Sequence, residues 1–240
     1  MERVRGAPPT PTRVLILTVD VIVPAHNEGP RIAAVLAAIR GSSAVSQLIV
    51  VADDCTDDTV EQATGYADQI VSIAAHDKGS AMAAGLTKVG SPLVAFIDGD
   101  IEGLQSEHVT ALLTYPPLEG QVVGLRSGYP KILGALPSVS GERRIPTWLA
   151  ETVPLAGAGW KSETLINAAV ARAGLPWRHI VLHGVTNLAK GKMIYDPRGW
   201  LDELVRVLDV VGTYAPEMIR YMAHRNGATT FRGVPQPGRH

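Results

Sequence analysis

Short apolar runs alternate with longer stretches of helical period through the first hundred residues. Val19–Pro24 is β-branched and apolar, which predicts a buried strand. Glu28–Gly29–Pro30 then opens a helix whose stripe is Ile32, Val35, Leu36 and Ile39 and which stops at Gly41. Gln47–Ala52 predicts a second strand, and Thr56, Asp57 and Asp58 offer capping oxygens to a helix running toward Gly65. Gln69–Ile73 predicts a third strand and Gly79–Val89 a helix of small residues. Leu93–Ile97 predicts a fourth strand, which ends directly in Asp98–Gly99–Asp100. Strands separated by about ten to fifteen helical residues imply right-handed βαβ units and a mainly parallel central sheet flanked by helices, an α/β fold.

The second half is less regular. Ser106–Tyr115 predicts a helix and Gln121–Leu125 a strand, followed by a Gly- and Pro-interrupted stretch from Ser127 to Gly159. Lys161–Ala173 predicts a helix and His179–Val185 a strand. Trp200–Val211 and Pro216–Ala223 read as further amphipathic helices. No internal repeat and no linker divides the chain. Residues 1–12 are expected to be a flexible tail and 13–240 a single domain.

Composition narrows the function classes. With 46% hydrophobic and 19% charged residues among 240, the chain buries a sizeable core, which excludes disordered, collagen-like and coiled-coil readings. A net charge of −1 provides no global field for nucleic acid. The single cysteine, Cys55, excludes a disulfide framework and fits a reducing cytoplasm. No apolar run approaches the roughly 18–20 residues of a membrane span. A cytoplasmic protein is expected, with peripheral contact at a membrane surface left open.

The chemistry gathers where strands end. In an open parallel sheet, ligands bind beyond the carboxyl ends of the strands, and three strands here end in polar clusters: PAHNE (24–28), DDCTDD (53–58) and DGD (98–100). Turn formation and helix capping explain such residues in general, and Asp57 and Asp58 in particular. The DGD pair is harder to explain so, because two carboxylates flanking one glycine repel unless a cation or donors separate them. Oxygen ligands at that spacing suit Mg²⁺ or Mn²⁺ shared with phosphate oxygens. Neither a GxxxxGK[ST] loop nor a GxGxxG turn follows the first strand, so the commonest phosphate-binding devices are missing.

In order, VIVPAHNEGPRI, VVADDCTDDT, KGSAMAAGL and VAFIDGD resemble the ordered motifs of family 2 glycosyltransferases of the GT-A fold across residues 19–100. SGERRI (140–145), the GWKSETLINAAVARAGL helix and KGKM (190–193) are similar to segments of the polyprenyl-phosphate sugar transferase branch. KGKM lacks that branch's serine and displaces its glycine. The histidine after the late strand is similar to that of retaining enzymes of the glucosyl-3-phosphoglycerate synthase type, where a histidine joins the metal.

This resemblance implies a donor- and metal-binding half over about 13–105 and an acceptor half over about 106–225. Pro24, Ala25, Asn27 and Glu28 would line the nucleotide pocket, and Asp53 would accept from the base or ribose, with Asp54 beside it. Lys78 and the helix start at Gly79 would approach the phosphates. Asp100 would hold Mg²⁺ or Mn²⁺, with Asp98 on ribose or metal and His183 as a third ligand. Arg143, Arg144, Lys190 and Lys192 would clamp diphosphate or an acceptor phosphate; solvated loop charges are the bland alternative. Glu163 shares a helical face with Ile166, Val170 and Ala173. A carboxylate there is either partnered and used, as a catalytic or acceptor-positioning group, or simply exposed in the first turn. Trp148, Trp160 and Trp177 fall in the acceptor half, where an aromatic can stack on a sugar.

The expected activity is metal-dependent transfer of a sugar from a nucleotide sugar, UDP-sugar first and GDP-mannose second. The expected acceptor is polyprenyl phosphate or a small phosphorylated or hydroxylated molecule; a protein side chain or modified nucleobase stays open. Two rival readings are a sugar-nucleotide pyrophosphorylase, whose Gly-rich segment PAHNEG lacks, and a non-catalytic nucleotide-binding module, against which the intact DGD argues.

Overall fold

The computed structural model describes residues 18–126 and 140–186. The tail at 1–12, Lys190, Lys192 and the helices expected at 200–211 and 216–223 lie outside them. The elements are β1 (Val19–Ala25), α1 (Gly29–Arg40), β2 (Val45–Asp53), α2 (Thr59–Thr64), β3 (Gln69–Ile73), α3 (Lys78–Leu86) and β4 (Leu93–Phe96), then α4 (Ser106–Thr114), β5 (Gln121–Arg126), β6 (Arg143–Pro146), α5 (Thr147–Thr152), α6 (Ser162–Arg172) and β7 (Trp177–Leu182). A 3₁₀ turn, Gly159–Lys161, leads into α6.

Seven strands form one sheet in the order β3-β2-β1-β4-β6-β5-β7. β1 pairs in parallel with β2 on one side and β4 on the other, and β6 alone runs antiparallel to its neighbours. Central strands covered on both faces are mostly apolar, which is why β1 and β2 read as near-continuous hydrophobic runs. Val21 and Val23 pack with Ile32, Leu36 and Leu112 on one face. Ile22 joins Met82, Phe96, Ile166 and Trp177 on the other.

The succession β1–β2–β3 builds outward in one direction, and β4 then returns to the opposite side of β1. That reversal makes the β1/β4 junction a topological switch point, where a crevice opens beyond the strand ends. PAHNE leaves β1 and DGD leaves β4 at this point.

Two elements differ from the expected pattern. RRIP is a strand, not a basic loop, and TWLAET is a helix of six residues. β7 also begins two residues before the expected strand and ends at Leu182, ahead of His183. Among the described residues, no helix is long and apolar enough to cross a membrane.

Near the opposite end of β1, Asp20 is 2% exposed and accepts from the Gly90 amide at 2.7 Å, the Ser91 amide at 3.0 Å and the Ser91 hydroxyl at 2.7 Å. Asp20→Ala takes the shared acceptor from these three donors. We expect a loss of about 2–3 kcal/mol in urea unfolding with ligand affinity unchanged; a loss below about 0.5 kcal/mol would contradict this account of the α3–β4 turn.

Candidate active site

A cleft of about 520 Å³ lies over the switch point. Its base is made by Pro24 and Ala25 from the end of β1 and by Asp98, Gly99 and Asp100 beyond β4. Its sides are Asp53, the 76–78 segment and Trp160.

The turns after β1 and β2 hold each other. Asn27, at φ 55°, turns its Oδ1 back to accept from the Thr56 amide at 2.8 Å and the Asp57 amide at 3.3 Å. Asp57 accepts from the Gly29 amide at 3.0 Å and, as a cap, from the Thr59 amide at 3.0 Å. Thr59 Oγ1 in turn accepts from the Glu28 amide at 2.7 Å. Asn27 therefore staples the cleft's wall. Pro24, Ala25 and Glu28 line the cleft itself.

Asp53 lines the cleft and is also bound by the chain itself. Its carboxylate accepts from the amides of Ala75 at 2.7 Å, His76 at 3.0 Å and Asp77 at 2.7 Å. It thereby closes the β3–α3 loop into a ring of donors around one charge, so a base or ribose meets an anion already committed. Burial opposes ionisation, but the three amides outweigh it and hold the carboxyl below the usual aspartate range. A carboxyl with a lowered folded pKa stabilises above its unfolded pKa, and that contribution disappears as pH falls through the folded value. We therefore expect wild-type stability to drop on acidification below the ordinary aspartate range, and Asp53→Asn to flatten this limb in urea titrations at stepped pH. Identical slopes for the two proteins would remove Asp53 from the account.

Two histidines missing from the sequence reading complete this wall. His26 Nδ1 donates to the Asp53 carbonyl at 2.6 Å, and His76 Nε2 pairs with Asp54 at 2.7 Å. Their rings meet edge-to-face with centroids 5.5 Å apart. His26 stands inside the PAHNE motif, a position that flags it; His76 carries no such signal.

The floor is charged. Lys78 Nζ lies 2.7 Å from Asp98 Oδ1 and 2.7 Å from Glu163 Oε1, and Arg126 stands behind Asp98 at 3.9 Å. Burial works against the ammonium, yet the two carboxylates more than offset it and raise its pKa. Glu163 does sit in the first turn of α6, but it is 3% exposed and ion-paired. Gly141 makes room for this arrangement, since a Cβ there would stand 2.2 Å from both Asp98 carboxylate oxygens. Gly79 does the same for the start of α3, where a Cβ would meet the Leu155 carbonyl oxygen at 2.1 Å. The Asp77 carboxylate caps α3 by accepting from the Ser80 amide at 2.6 Å.

Arg143 and Arg144 do not face the cleft; both are fully buried. Arg143 donates to the Ser140 carbonyl at 2.5 Å, to the Glu163 carbonyl at 3.2 Å and to Asn167 Oδ1 at 3.2 Å. Arg144 donates to the carbonyls of Leu113 at 2.9 Å and Tyr115 at 3.0 Å, and to that of Pro117. Guanidinium groups so engaged tie α6 and the end of α4 to the sheet, and they clamp no phosphate. Behind them Glu142, also fully buried, meets Arg126 at 3.4 Å and the Ser140 hydroxyl at 2.5 Å; burial pushes its carboxyl up. Glu142 and Arg126 were not singled out by the sequence, because only the fold brings SGERR beside DGD.

The three expected metal ligands do not converge. Asp98 turns toward Lys78, and His183 is exposed in the turn beyond β7, near enough to His108 that it adds to burial in lowering that ring's pKa. Among the described residues, no three His, Cys, Asp or Glu side chains form a cation cage. Asp100 lines the cleft beyond β4. The Glu28 carboxyl is pushed up first by burial, against the pull of Arg31 at 2.7 Å, and then by the charges of Asp100 and Asp57. That concentration of negative charge fits Mg²⁺ or Mn²⁺ held by one carboxylate plus phosphate oxygens and water.

Comparison with known proteins agrees with this geometry. Residues 20–115 match the model of glycosyl transferase family 2. A 4,4'-diaponeurosporenoate glycosyltransferase of Staphylococcus aureus (strain bovine RF122 / ET3-1) is 29% identical over 110 residues, which are 43% of this chain and 29% of that protein. The chain thus spans under a third of the length of such relatives. Glucosyl-3-phosphoglycerate synthase from Mycobacterium tuberculosis, with Mn²⁺, UDP-glucose and phosphoglyceric acid, superposes with a TM-score of 0.57 at 26% identity over 71% of each chain. The same enzyme with phosphoglyceric acid alone gives 0.58 at 25% identity, again over 71% of each. Residues 20–115 thus match glycosyl transferase family 2, and the sheet through β7 carries them on a GT-A-type glycosyltransferase fold.

Proposed function

We propose that this chain transfers a hexose from a nucleoside-diphosphate sugar to a small phosphorylated or hydroxylated acceptor, or to polyprenyl phosphate, with UDP-glucose the first donor to test and GDP-mannose the second. The observation that carries the reading is that Asp100 and Lys78 line one switch-point cleft together with Ala25, Asp53 and His76. A nucleoside diphosphate needs such a set of surfaces: a wall for the base, a carboxylate for a divalent cation, and an ammonium donor for a phosphate oxygen. The Mn²⁺, UDP-glucose and phosphoglycerate named for the M. tuberculosis neighbour support the donor and the small acceptor.

When bound, Mg²⁺ or Mn²⁺ offsets charge on the departing nucleoside diphosphate. Asp100 would hold it. The chain's own residues bind and orient. Lys78 is fixed by Asp98 and Glu163, which use two of its three N–H donors; the third is left for a phosphate or hydroxyl oxygen in the cleft. Because the lysine is anchored before the substrate arrives, no side chain must reorganise to present that donor.

The test is release of nucleoside diphosphate from UDP-, GDP- and TDP-sugars with Mn²⁺, with 3-phosphoglycerate and a short polyprenyl phosphate as acceptors. Release from one donor, enhanced by one acceptor, supports the proposal. Turnover instead of sugar phosphate plus nucleoside triphosphate would establish a pyrophosphorylase, and nucleotide binding without any turnover a binding module.

A further inference from the structure

The aromatic side of the cleft has a use that rests on the donor reading above. Trp160 is 53% exposed and lines the cleft, and its ring centroid lies 5.5 Å from Lys78 Nζ. Trp148 is as exposed, at 54%, but stands on α5 and is not among the residues that line this cleft. The two differ in how they are held. The turn bearing Trp160 is built onto the start of α3. The Gly157 amide donates to Asp77 Oδ1 at 3.1 Å and Ser80 Oγ at 3.0 Å, and the Ser162 hydroxyl donates to the Gly159 carbonyl at 2.6 Å. Gly157 at φ 75° and Gly159 at φ 53° supply backbone conformations that side-chain-bearing residues rarely adopt. A chain that uses two such glycines to bring a large indole to the rim of a polar cleft has fixed that ring in place before any ligand binds.

Lys78 and Trp160 line the cleft side by side. With the base against Ala25 and His76 and the diphosphate at Asp100 and Lys78, the group beyond the diphosphate would meet Lys78 and Trp160. A pyranose suits that wall. One face of the sugar is a patch of C–H groups, which an indole face covers, and its rim is hydroxyls, which an ammonium and its carboxylate neighbours bind. We propose that Trp160 is the platform on which the transferred hexopyranose lies, so that it positions the sugar and contributes to donor choice without binding the nucleotide.

The test compares UDP with UDP-glucose, each with Mn²⁺, on wild type, Trp160→Ala and Trp160→Phe. For Trp160→Ala the affinity for UDP should hold within about twofold while that for UDP-glucose weakens about tenfold or more, the scale set by losing one apolar contact. Trp160→Phe should restore most of the loss. UDP-glucose should also change the wild-type tryptophan emission beyond the change UDP causes, and that difference should vanish in Trp160→Phe. Equal weakening for UDP and UDP-glucose, or no weakening for either, overturns the inference while leaving the donor reading intact. A wild type that binds neither compound overturns both.

Discussion

Asp100→Ala should lower metal-dependent nucleoside-diphosphate release by about a thousandfold or more, the cost of removing a preorganised charge-stabilising group from a transition state, and leave unfolding in urea within about 1 kcal/mol of wild type. The two halves of that expectation come from the same geometry. The negative charge of Asp100 adds to the forces that raise the Glu28 carboxyl and also attracts Arg31. Removing it relieves the repulsion and gives up the attraction, so the two offset each other. The fold loses little, whereas the diphosphate loses the carboxylate that would bring a cation to it. Asp98→Ala makes the contrast, because it strips a partner from Lys78 and must cost stability as well as activity. A Mn²⁺ titration of Asp100→Ala that reproduces the wild-type midpoint and plateau would take Asp100 out of metal binding altogether.

The frame of the fold was open to sequence reasoning because its strands are buried on both faces. Runs such as Val21–Pro24 and Leu48–Ala52 hold no polar residue, and the residues that follow them are caps and turn formers with their own local logic. β6 was not legible, for the opposite reason. Arg143 and Arg144 inside a four-residue strand look like a basic loop until the carbonyls of Ser140, Glu163, Leu113 and Tyr115 are brought around them. Glu163 falls between these cases. Its conflict with the apolar stripe of α6 is visible along the chain, but its partner is 85 residues away and only the sheet brings the two together. Asp53 shows the same limit. A carboxylate at the end of a strand announces a binding role, and the sequence does not say that the thing bound is the protein's own loop at residues 75–77.

Lys78→Met should be the most destabilising single change in the site, at about 3–5 kcal/mol, because it removes one partner from a buried set of charges and leaves the others uncompensated. In the native protein the ammonium sits 2.7 Å from each of two carboxylates whose side chains are 12% and 4% exposed. Methionine fills much of the same volume and brings no charge. Asp98 and Glu163 then face each other across a gap that water reaches poorly, with Arg126 at 3.9 Å the nearest remaining cation to Asp98. Adding Glu163→Gln to Lys78→Met removes one of the two stranded charges, so the double variant should be more stable than Lys78→Met alone although it carries one more substitution. That inversion separates an electrostatic cause from a packing cause: a lysine that mattered only as a hydrocarbon stem would give a near-isosteric methionine variant within about 1 kcal/mol of wild type, and the second change would then only add damage. Chemical denaturation of wild type, both single variants and the double variant closes the cycle. A coupling below about 0.5 kcal/mol would mean that the Lys78–Glu163 contact holds nothing together, and the cleft floor would need another explanation for its order.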